Sequence, residues 1–366
     1  MSDLPLSGVR IIEFTWIGVG PYCALLCALM GAECIRIETT TRPIYYRGTG
    51  SPMARVSQSG QTMNTLNELN VNRRSVCIDL KHKEGIELVK KLVAVSDVVA
   101  ENFQTGVMDR LGLGYSELKN VNPALIMLSM SSHGASGPEK DGKGLAAVFG
   151  ALGGASYLSG YEDGPPVELR LSADLISGTT ACFALLSAIH HLRKTGVGTW
   201  IDCSSREVVS SFVGEALLDA MVNRHDQARQ GNRDAIMAPH NVYPCTEPGS
   251  WISIAVATQE EWEALCAVVG RKDWLADSRF ADRYLRWKNQ DALDGMLAEW
   301  SKGMNAQESM TLLQEAGVPA TASYNAQDLL SDPHLHDRNV FQTAEDQEGK
   351  PYIMMGLPWK FSGTVP

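Results

Sequence analysis

Long apolar runs and a signal-like start are missing from this sequence. No stretch approaches the roughly 18 consecutive apolar residues of a membrane-spanning helix. The opening residues, Met1 to Leu6, carry neither the basic start nor the apolar segment of a secretory signal. We therefore expect a soluble, cytoplasmic protein with no membrane partner.

Paired cysteines and an excess of basic residues are also absent. There is no Cys-x-x-Cys pair among the eight cysteines. Six of them lie in apolar surroundings: Cys23, Cys27, Cys34, Cys77, Cys182 and Cys266. We expect buried thiols rather than disulfides and predict no metal site. The net charge of −10 disfavours a nucleic-acid partner, so an anionic ligand would need locally placed basic residues.

The length of the chain predicts two domains, because 366 residues exceed what one hydrophobic core usually organises. We place a large domain over residues 1–224 and 326–366 and a smaller domain over residues 225–325. Ser205–Asn223 contains no proline and is predicted to be one long helix at the end of the large domain's first segment.

The first forty residues predict a strand, a helix and a second strand. The strands are Val9–Phe14 and Cys34–Glu38, and the helix is Tyr22–Met30. Gly18-x-Gly20, followed by the acidic Glu38, imitates a dinucleotide-binding fingerprint. Because Cys23 stands where the third glycine belongs, we interpret the segment as a tight crossover and predict no permanently bound cofactor.

Strands and helices continue to alternate beyond this unit. Three more strands are predicted, at Ser75–Leu80, Asp97–Asn102 and Ala124–Met130. The pattern predicts an α/β fold, with a Rossmann-like parallel sheet in the large domain and a smaller α/β domain. Ligands of such sheets bind beyond the carboxyl ends of the strands. Side chains near predicted strand ends or in adjoining loops are Arg42, Arg73, Arg74, Asn102, Phe103, His133 and Lys140.

Asp174 is the most informative residue of the chain. It begins a helix-compatible stretch with no other charged residue before Arg193. Backbone N–H groups and the dipole at a helix start favour an ionised carboxylate. Such a place suits a carboxylate nucleophile, although an Asp there more commonly only caps the helix.

Segments spread over nearly the whole chain resemble the class III CoA-transferases. The segments are Pro5–Phe14, Gly31–Glu38, Asn72–Ser75, Glu101–Phe103, Lys194–Gly198, Asn241–Cys245, Ala316–Ala320 and Leu357–Gly363. This family includes formyl-CoA transferase and carnitine CoA-transferase, and its superfamily includes alpha-methylacyl-CoA racemase. The resemblance implies a CoA-transferase that moves CoA from an acyl-CoA donor to a free carboxylic acid. It also implies two interlocked chains, as a homodimer or as a heteromer with a related chain.

The same resemblance implies roles for individual residues. Asp174, a short distance before Lys194–Gly198, matches the family's nucleophile, which passes through a mixed anhydride and an aspartyl-CoA thioester. Trp16, Ile17 and Gly18 are expected near the pantetheine of CoA. The residues expected at the nucleotide end are Arg36, Arg73, Arg74, Asn102, Phe103 and Lys140. Coenzyme A is then a substrate rather than a resident cofactor.

Two alternative functions stay open. Related racemases carry a His-Asp pair where this chain has Gly144–Ala147, and inverting a carbon centre needs two acid-base groups. The chain is also compatible with a structural subunit of a paired CoA-transferase, although it retains Asp174. The donor and acceptor are not predicted. Trp16, Phe183 and Met237 would suit a larger acid if they lined a pocket, but such residues are more often core.

Overall fold

The computed structural model describes residues 4–39, 69–169, 171–345 and 349–364. Contacts between residues divide the chain into two compact units. The first falls within Met1–Leu158, Val167–Gln227 and His336–Pro366, and the second within Ser159–Pro166 and Ala228–Leu335. Each unit has its own hydrophobic core.

A parallel sheet of six strands forms the centre of the first unit, with the order β3-β2-β1-β4-β5-β6. The strands are β1 (Arg10–Phe14), β2 (Glu33–Glu38), β3 (Arg73–Cys77), β4 (Val98–Glu101), β5 (Ile126–Ser131) and β6 (Trp200–Ser204). Every residue of β4 and β5 is buried, as expected for strands covered on both faces. The predicted α/β class with a parallel sheet is confirmed.

Helices follow most of these strands. They are α1 (Val19–Leu29), α2 (Lys83–Val93), α3 (Val107–Arg110), α4 (Tyr115–Val121), α5 (Ala146–Leu152), α6 (Ala155–Leu158), α7 (Leu171–Thr195), α8 (Ser205–Phe212) and α9 (Gly214–Asn223). Gly31, with a φ of 98°, ends the turn after α1 in a conformation that favours glycine. By length and composition α7 could span a membrane. Its buried face, which includes Ala181 and Leu185, instead belongs to the core of the first unit, as in a core helix.

The second unit contains a three-stranded antiparallel sheet in the order β7-β8-β9. Its elements are β7 (His240–Pro244), β8 (Trp251–Ala255), α10 (Gln259–Val269), α11 (Arg283–Lys288), α12 (Gln290–Ser301), α13 (Ala306–Glu315), β9 (Ala320–Ala322) and α14 (Ala326–Ser331), with two 3-10 turns at Lys272–Ala276 and Ser278–Phe280. The chain continues through α15 (Pro333–Asp337) to a hairpin of β10 (Phe341–Glu345) and β11 (Pro351–Met355). Trp262 and Trp274 are buried and stack in the core of this unit, as expected for packing anchors.

Two local predictions are wrong. The single helix predicted over Ser205–Asn223 is divided into α8 and α9 at Val213, whose φ of −107° and ψ of 25° are not helical. The following Gly214 makes an unbroken helix less favourable, because glycine loses the most backbone freedom in a helix. Cys77, predicted to be buried, is exposed at the end of the edge strand β3, where one side of the sheet has no neighbouring strand.

Candidate active site

A large cavity lies in the first unit, where the winding of the sheet reverses. Strands β1 and β4 are neighbours there, and the chain leaves them in the loops that carry Trp16 and Asn102. Ligands of α/β sheets bind at such switch points. The cavity has a volume of about 1130 Å³. The predicted site residues in its lining are Trp16, Ile17, Gly18, Arg36, Asn102, Phe103, Lys140 and Asp174.

Asp174 packs directly against the turn before α1. The residue is 7% exposed and lies in the first turn of α7, and its carboxyl group accepts a hydrogen bond from the backbone N–H of Val19. A Cβ atom added to Gly18 would lie 2.4 Å from Asp174 Cγ, so only glycine fits at position 18. Asp174 therefore does not begin its own helix, which starts at Leu171, and its carboxyl group instead bonds to the first N–H of α1.

Burial raises the pKa of the Asp174 carboxyl to about 6. The hydrogen bond from Val19 acts in the opposite direction but is the smaller effect. A helix start alone would favour the ionised form and a low pKa, but the cost of removing the carboxylate from water is the larger effect here. A carboxylate near its pKa at neutral pH, with little water around it, is a suitable nucleophile.

Asn102 fixes the backbone of the turn that faces Asp174. Its Oδ1 accepts from Trp16 N at 2.7 Å, and its Nδ2 donates to Trp16 O at 2.7 Å. The next residue, Ile17, has a φ of 64°, an unusual and strained value for a β-branched residue. The side-chain amide of Asn102 thus bonds to both the backbone N–H and the backbone C=O of Trp16. The strained turn that follows directs Gly18 and Val19 towards Asp174.

A second glycine allows α7 to approach the start of α1. A Cβ atom at Gly178 would lie 2.8 Å from Val19 O, closer than a side chain tolerates. Gly178 follows Asp174 by one helical turn, so it lies on the same face of α7. Gly18 and Gly178 together explain why the carboxylate and the N-terminus of α1 meet.

Arg36, Lys140 and Phe103 line the cavity at different depths. Arg36 is buried and donates from Nη2 to Thr15 O at 2.6 Å, whereas Lys140 is exposed. Phe103 is half-buried and lies 6.5 Å from Phe14 between ring centroids. These side chains offer a guanidinium, an ammonium and an aromatic face to a ligand.

Arg73 and Arg74 are not in the cavity lining. They are the first two residues of β3, whereas the cavity lies at the carboxyl ends of the strands. Arg73 is buried and pairs with the fully buried Glu13 at 3.0 Å. Arg74 is exposed and pairs with Glu33 at 2.8 Å. Both side chains stabilise the sheet in this structure.

The cavity also contains residues that the sequence analysis did not assign to the site. Lys143 and Glu168 are in the lining, and so is His133, which follows β5. His133 Nδ1 is buried and has no partner among the described residues. Lys143 stands between Gly142 and Gly144 in the sequence, and this glycine-flanked cation close to Lys140 was the signal that could have identified it. Of the remaining candidates, Phe183 is exposed, Met237 belongs to the second unit and Arg42 lies outside the described residues.

Comparisons with known proteins match the whole chain. The model of CoA-transferase family III matches residues 6–366. Succinyl-CoA–D-citramalate CoA-transferase of Chloroflexus aurantiacus is 34% identical over 98% of this chain and 88% of its own length. The succinyl-CoA–L-malate CoA-transferase beta subunit of the same organism is 31% identical over 99% and 89%. A CaiB/BaiF family protein from Brucella suis superimposes with a TM-score of 0.86 at 27% identity, covering 98% of this chain and 93% of that one.

Proposed function

This chain belongs to CoA-transferase family III, and we propose that it transfers CoA from succinyl-CoA to a small carboxylic acid, with Asp174 as nucleophile. The contact of the Asp174 carboxyl with Gly18 and the Val19 N–H carries this proposal. The adjoining cavity of about 1130 Å³ is large enough for a CoA ester, since ordinary ligand pockets hold roughly 300–1,000 Å³. Succinyl-CoA is chosen because two relatives are named for it.

In the first half of the proposed reaction, an Asp174 oxygen attacks the thioester carbon of succinyl-CoA. The carbon–sulfur bond breaks, leaving a mixed anhydride and CoA thiolate. The thiolate then attacks the Asp174 carbonyl of the anhydride. Succinate leaves with the bridging oxygen, and Asp174 carries CoA as a thioester.

In the second half, the carboxylate of the acceptor attacks the aspartyl-CoA thioester. A new anhydride forms and CoA thiolate is released again. The thiolate attacks the acceptor half of the anhydride, which yields the new acyl-CoA and restores the Asp174 carboxylate. No step adds or removes a proton overall, so no dedicated general base is needed.

The start of α1 is the proposed oxyanion site. The first N–H groups of a helix have no partner within the helix, and they carry partial positive charge. Val19 N–H already bonds to the Asp174 carboxyl group. It therefore lies next to the Asp174 carbonyl oxygen, on which negative charge would develop when the thiolate attacks the carbonyl carbon. The buried position of Asp174 would protect its anhydride and thioester from water.

We propose that CoA lies along the cavity from Asp174 to Lys140. Trp16, Ile17 and Gly18 would contact the pantetheine. Arg36 and Lys140 would face the phosphates, with Lys143 as an additional cation, and the Phe103 ring would face the adenine. Arg73 and Arg74 are left out of this site because neither residue lines the cavity.

The assembly is proposed to contain two chains, either a homodimer or a pair with a related chain. Large apolar side chains are exposed on α7, α8 and α9, namely Phe183, Phe212, Leu218, Met221 and Val222. A surface of this kind supports burial against a partner. One relative is named as a beta subunit, which makes a heteromer a specific alternative. We also propose that the protein is soluble and cytoplasmic, and that it has the two domains predicted from the sequence.

Racemisation is the competing activity. It needs a proton removed from one face of the substrate and returned to the other. The cavity wall at Leu145, Ala146 and Ala147 supplies no acid-base group. Asp174 and His133 would have to act as the pair, and the structure gives His133 no hydrogen-bond partner at Nδ1 among the described residues that would orient it.

The test is an exchange assay with the purified chain and succinyl-CoA. Citramalate, malate, glutarate, oxalate and benzoate are offered separately, and new acyl-CoA products are identified by mass spectrometry. We expect CoA exchange with at least one dicarboxylate. Exchange only after addition of a related chain would identify a subunit. Inversion of a 2-methylacyl-CoA without any exchange would contradict the transferase.

A further inference from the structure

Three cysteines form a compact cluster in the core of the first unit. The Sγ atoms of Cys23, Cys27 and Cys182 all lie within 4.8 Å of one another, and the Cys27 and Cys182 sulfurs are 3.8 Å apart. All three residues are at most 4% exposed. We call this group the thiol cluster.

The thiol cluster is built from two helices. Cys23 and Cys27 are four residues apart on α1, so their side chains lie on the same helix face. Cys182 comes from α7, whose close approach to α1 is permitted by Gly178. The convergence of three sulfurs therefore follows from the same helix crossing that brings Gly18 to Asp174.

The spacing of the sulfurs suits a single ion bound by three thiolates. An ion about 2.3 Å from each of three sulfurs in one plane requires sulfur separations of about 4 Å. An element that carries a lone pair lies above this plane and needs still shorter separations, so the sulfurs, 3.8 Å apart at Cys27 and Cys182 and all within 4.8 Å of one another, must move closer together on binding. Geometry alone admits several soft ions, and charge must decide between them.

Net charge selects a trivalent element. The three thiols belong to the hydrophobic core of the first unit, and each of these residues is at most 4% exposed. Three thiolates around a divalent or monovalent ion would leave uncompensated negative charge there, which is costly in an apolar interior. Around a trivalent element they leave none. We propose that the thiol cluster is a binding site for trivalent arsenic.

The binding reaction is balanced without an oxidant. Arsenous acid brings three hydroxyl groups, and the cluster brings three thiols. Three arsenic–oxygen bonds and three sulfur–hydrogen bonds break, three arsenic–sulfur bonds form, and three water molecules leave. The oxidation states do not change. The product is neutral and links α1 covalently to α7.

The test uses the full chain with sodium arsenite and a phosphine reductant in place of a thiol reductant. Native mass spectrometry is expected to show one arsenic atom replacing three hydrogens, and thermal unfolding is expected to shift to a higher temperature. Cys27→Ala and Cys182→Ser should lose both effects. Cys266→Ala, which removes a buried thiol from the second unit, is the matched control and should retain them.

Circular dichroism identifies which cluster variants are folded. If Cys27→Ala or Cys182→Ser unfolds, Cys23→Ser replaces it in the test. Absence of arsenic uptake by the wild-type chain would overturn the proposal. Retention of one arsenic per chain in a folded cluster variant would overturn it too, because fewer than three thiols would then suffice. Stoichiometric zinc uptake at these cysteines in preference to arsenic would contradict the charge argument.

Discussion

The nucleophile end of the cavity and the cationic end of strand β3, the pair Arg73 and Arg74 outside the cavity, differ in how their side chains are held. At the nucleophile end, the position of Asp174 depends on backbone contacts that only glycine permits, at Gly18 and Gly178. At the cationic end, the two arginines pair with carboxylates of the sheet, Arg73 with Glu13 and Arg74 with Glu33. From this difference we expect substitutions at the nucleophile end to lower kcat. We expect substitutions at the cationic end to change the free energy of unfolding, and they test whether either arginine also binds the CoA ester.

The largest effect is expected for Asp174→Ala. Loss of the nucleophile should lower kcat by about 10³-fold or more, because no other group can carry the acyl-enzyme. Binding of CoA, measured by calorimetry, should change little. Asp163→Ala removes an exposed carboxylate as a control and should leave kcat unchanged. Equal loss of CoA binding and turnover in Asp174→Ala would show a structural role instead.

The paired variants Arg73→Ala and Arg74→Ala test the cationic end. Arg73→Ala leaves Glu13 buried without its partner and should lower the free energy of unfolding by about 3–5 kcal/mol. Arg74→Ala removes an exposed ion pair and should cost at most about 1 kcal/mol. Denaturant unfolding measures both. A raised KM for the CoA ester in Arg74→Ala, with stability unchanged, would return this residue to the binding site.

Gly18→Ala tests the close contact at the nucleophile end. The added Cβ atom would displace the Asp174 carboxyl, and a shift of about 1 Å at a reacting group can cost roughly 10²-fold in rate. Gly295→Ala is the matched control, because its Cβ would enter open space on α12. Steady-state kinetics compare the two variants. A fully active Gly18→Ala enzyme would mean that the contact is dispensable.

Asn102→Asp distinguishes a positioning role from a nucleotide contact. The variant keeps the acceptor for Trp16 N–H but loses the donor to Trp16 O, so kcat should fall about tenfold if one buried hydrogen bond is lost. The KM for the CoA ester should change less than kcat. The opposite result, a raised KM for the CoA ester with an unchanged kcat, would support the contact with the nucleotide end of CoA that was expected from the sequence.

The pH dependence of the reaction gives the smallest predicted effect. With a pKa of about 6 for Asp174, the ionised fraction and kcat/KM should fall about tenfold from pH 7 to pH 5. Because an unfolded Asp titrates near 3.9, the folded chain binds more protons between about pH 4 and pH 6. Stability should therefore fall as the pH rises through this range. Asp174→Asn should remove that slope, and a rate that stays constant down to pH 5 would contradict the raised pKa.

The sequence predicted the sheet and the place of Asp174 in the cavity better than it predicted the surroundings of the arginines. Strands such as β4 and β5 are continuous apolar runs, so their positions follow from local patterning. Asp174 was found because it is the single charge at the start of an apolar helix. Its raised pKa was missed because burial against Gly18 depends on residues far apart in sequence.

The same limit explains the cationic end. Arg73 and Arg74 look alike in sequence, as adjacent basic residues beside a strand. Their partners, Glu13 and Glu33, come from two other strands of the sheet. Adjacent residues of a strand face opposite sides of the sheet, and here the Arg73 side chain is buried while that of Arg74 is exposed. Composition and local spacing do not tell which of the two sides is covered at this edge strand.

Trapping of the acyl-enzyme tests the role of Asp174 most directly. The purified chain is incubated with succinyl-CoA, treated with hydroxylamine and digested, and the peptide that contains Asp174 is examined by mass spectrometry. We expect a hydroxamate at Asp174 that forms only when succinyl-CoA is present and is absent from Asp174→Ala. Turnover with Asp174 unmodified, or a hydroxamate at another carboxylate, would contradict the proposed nucleophile.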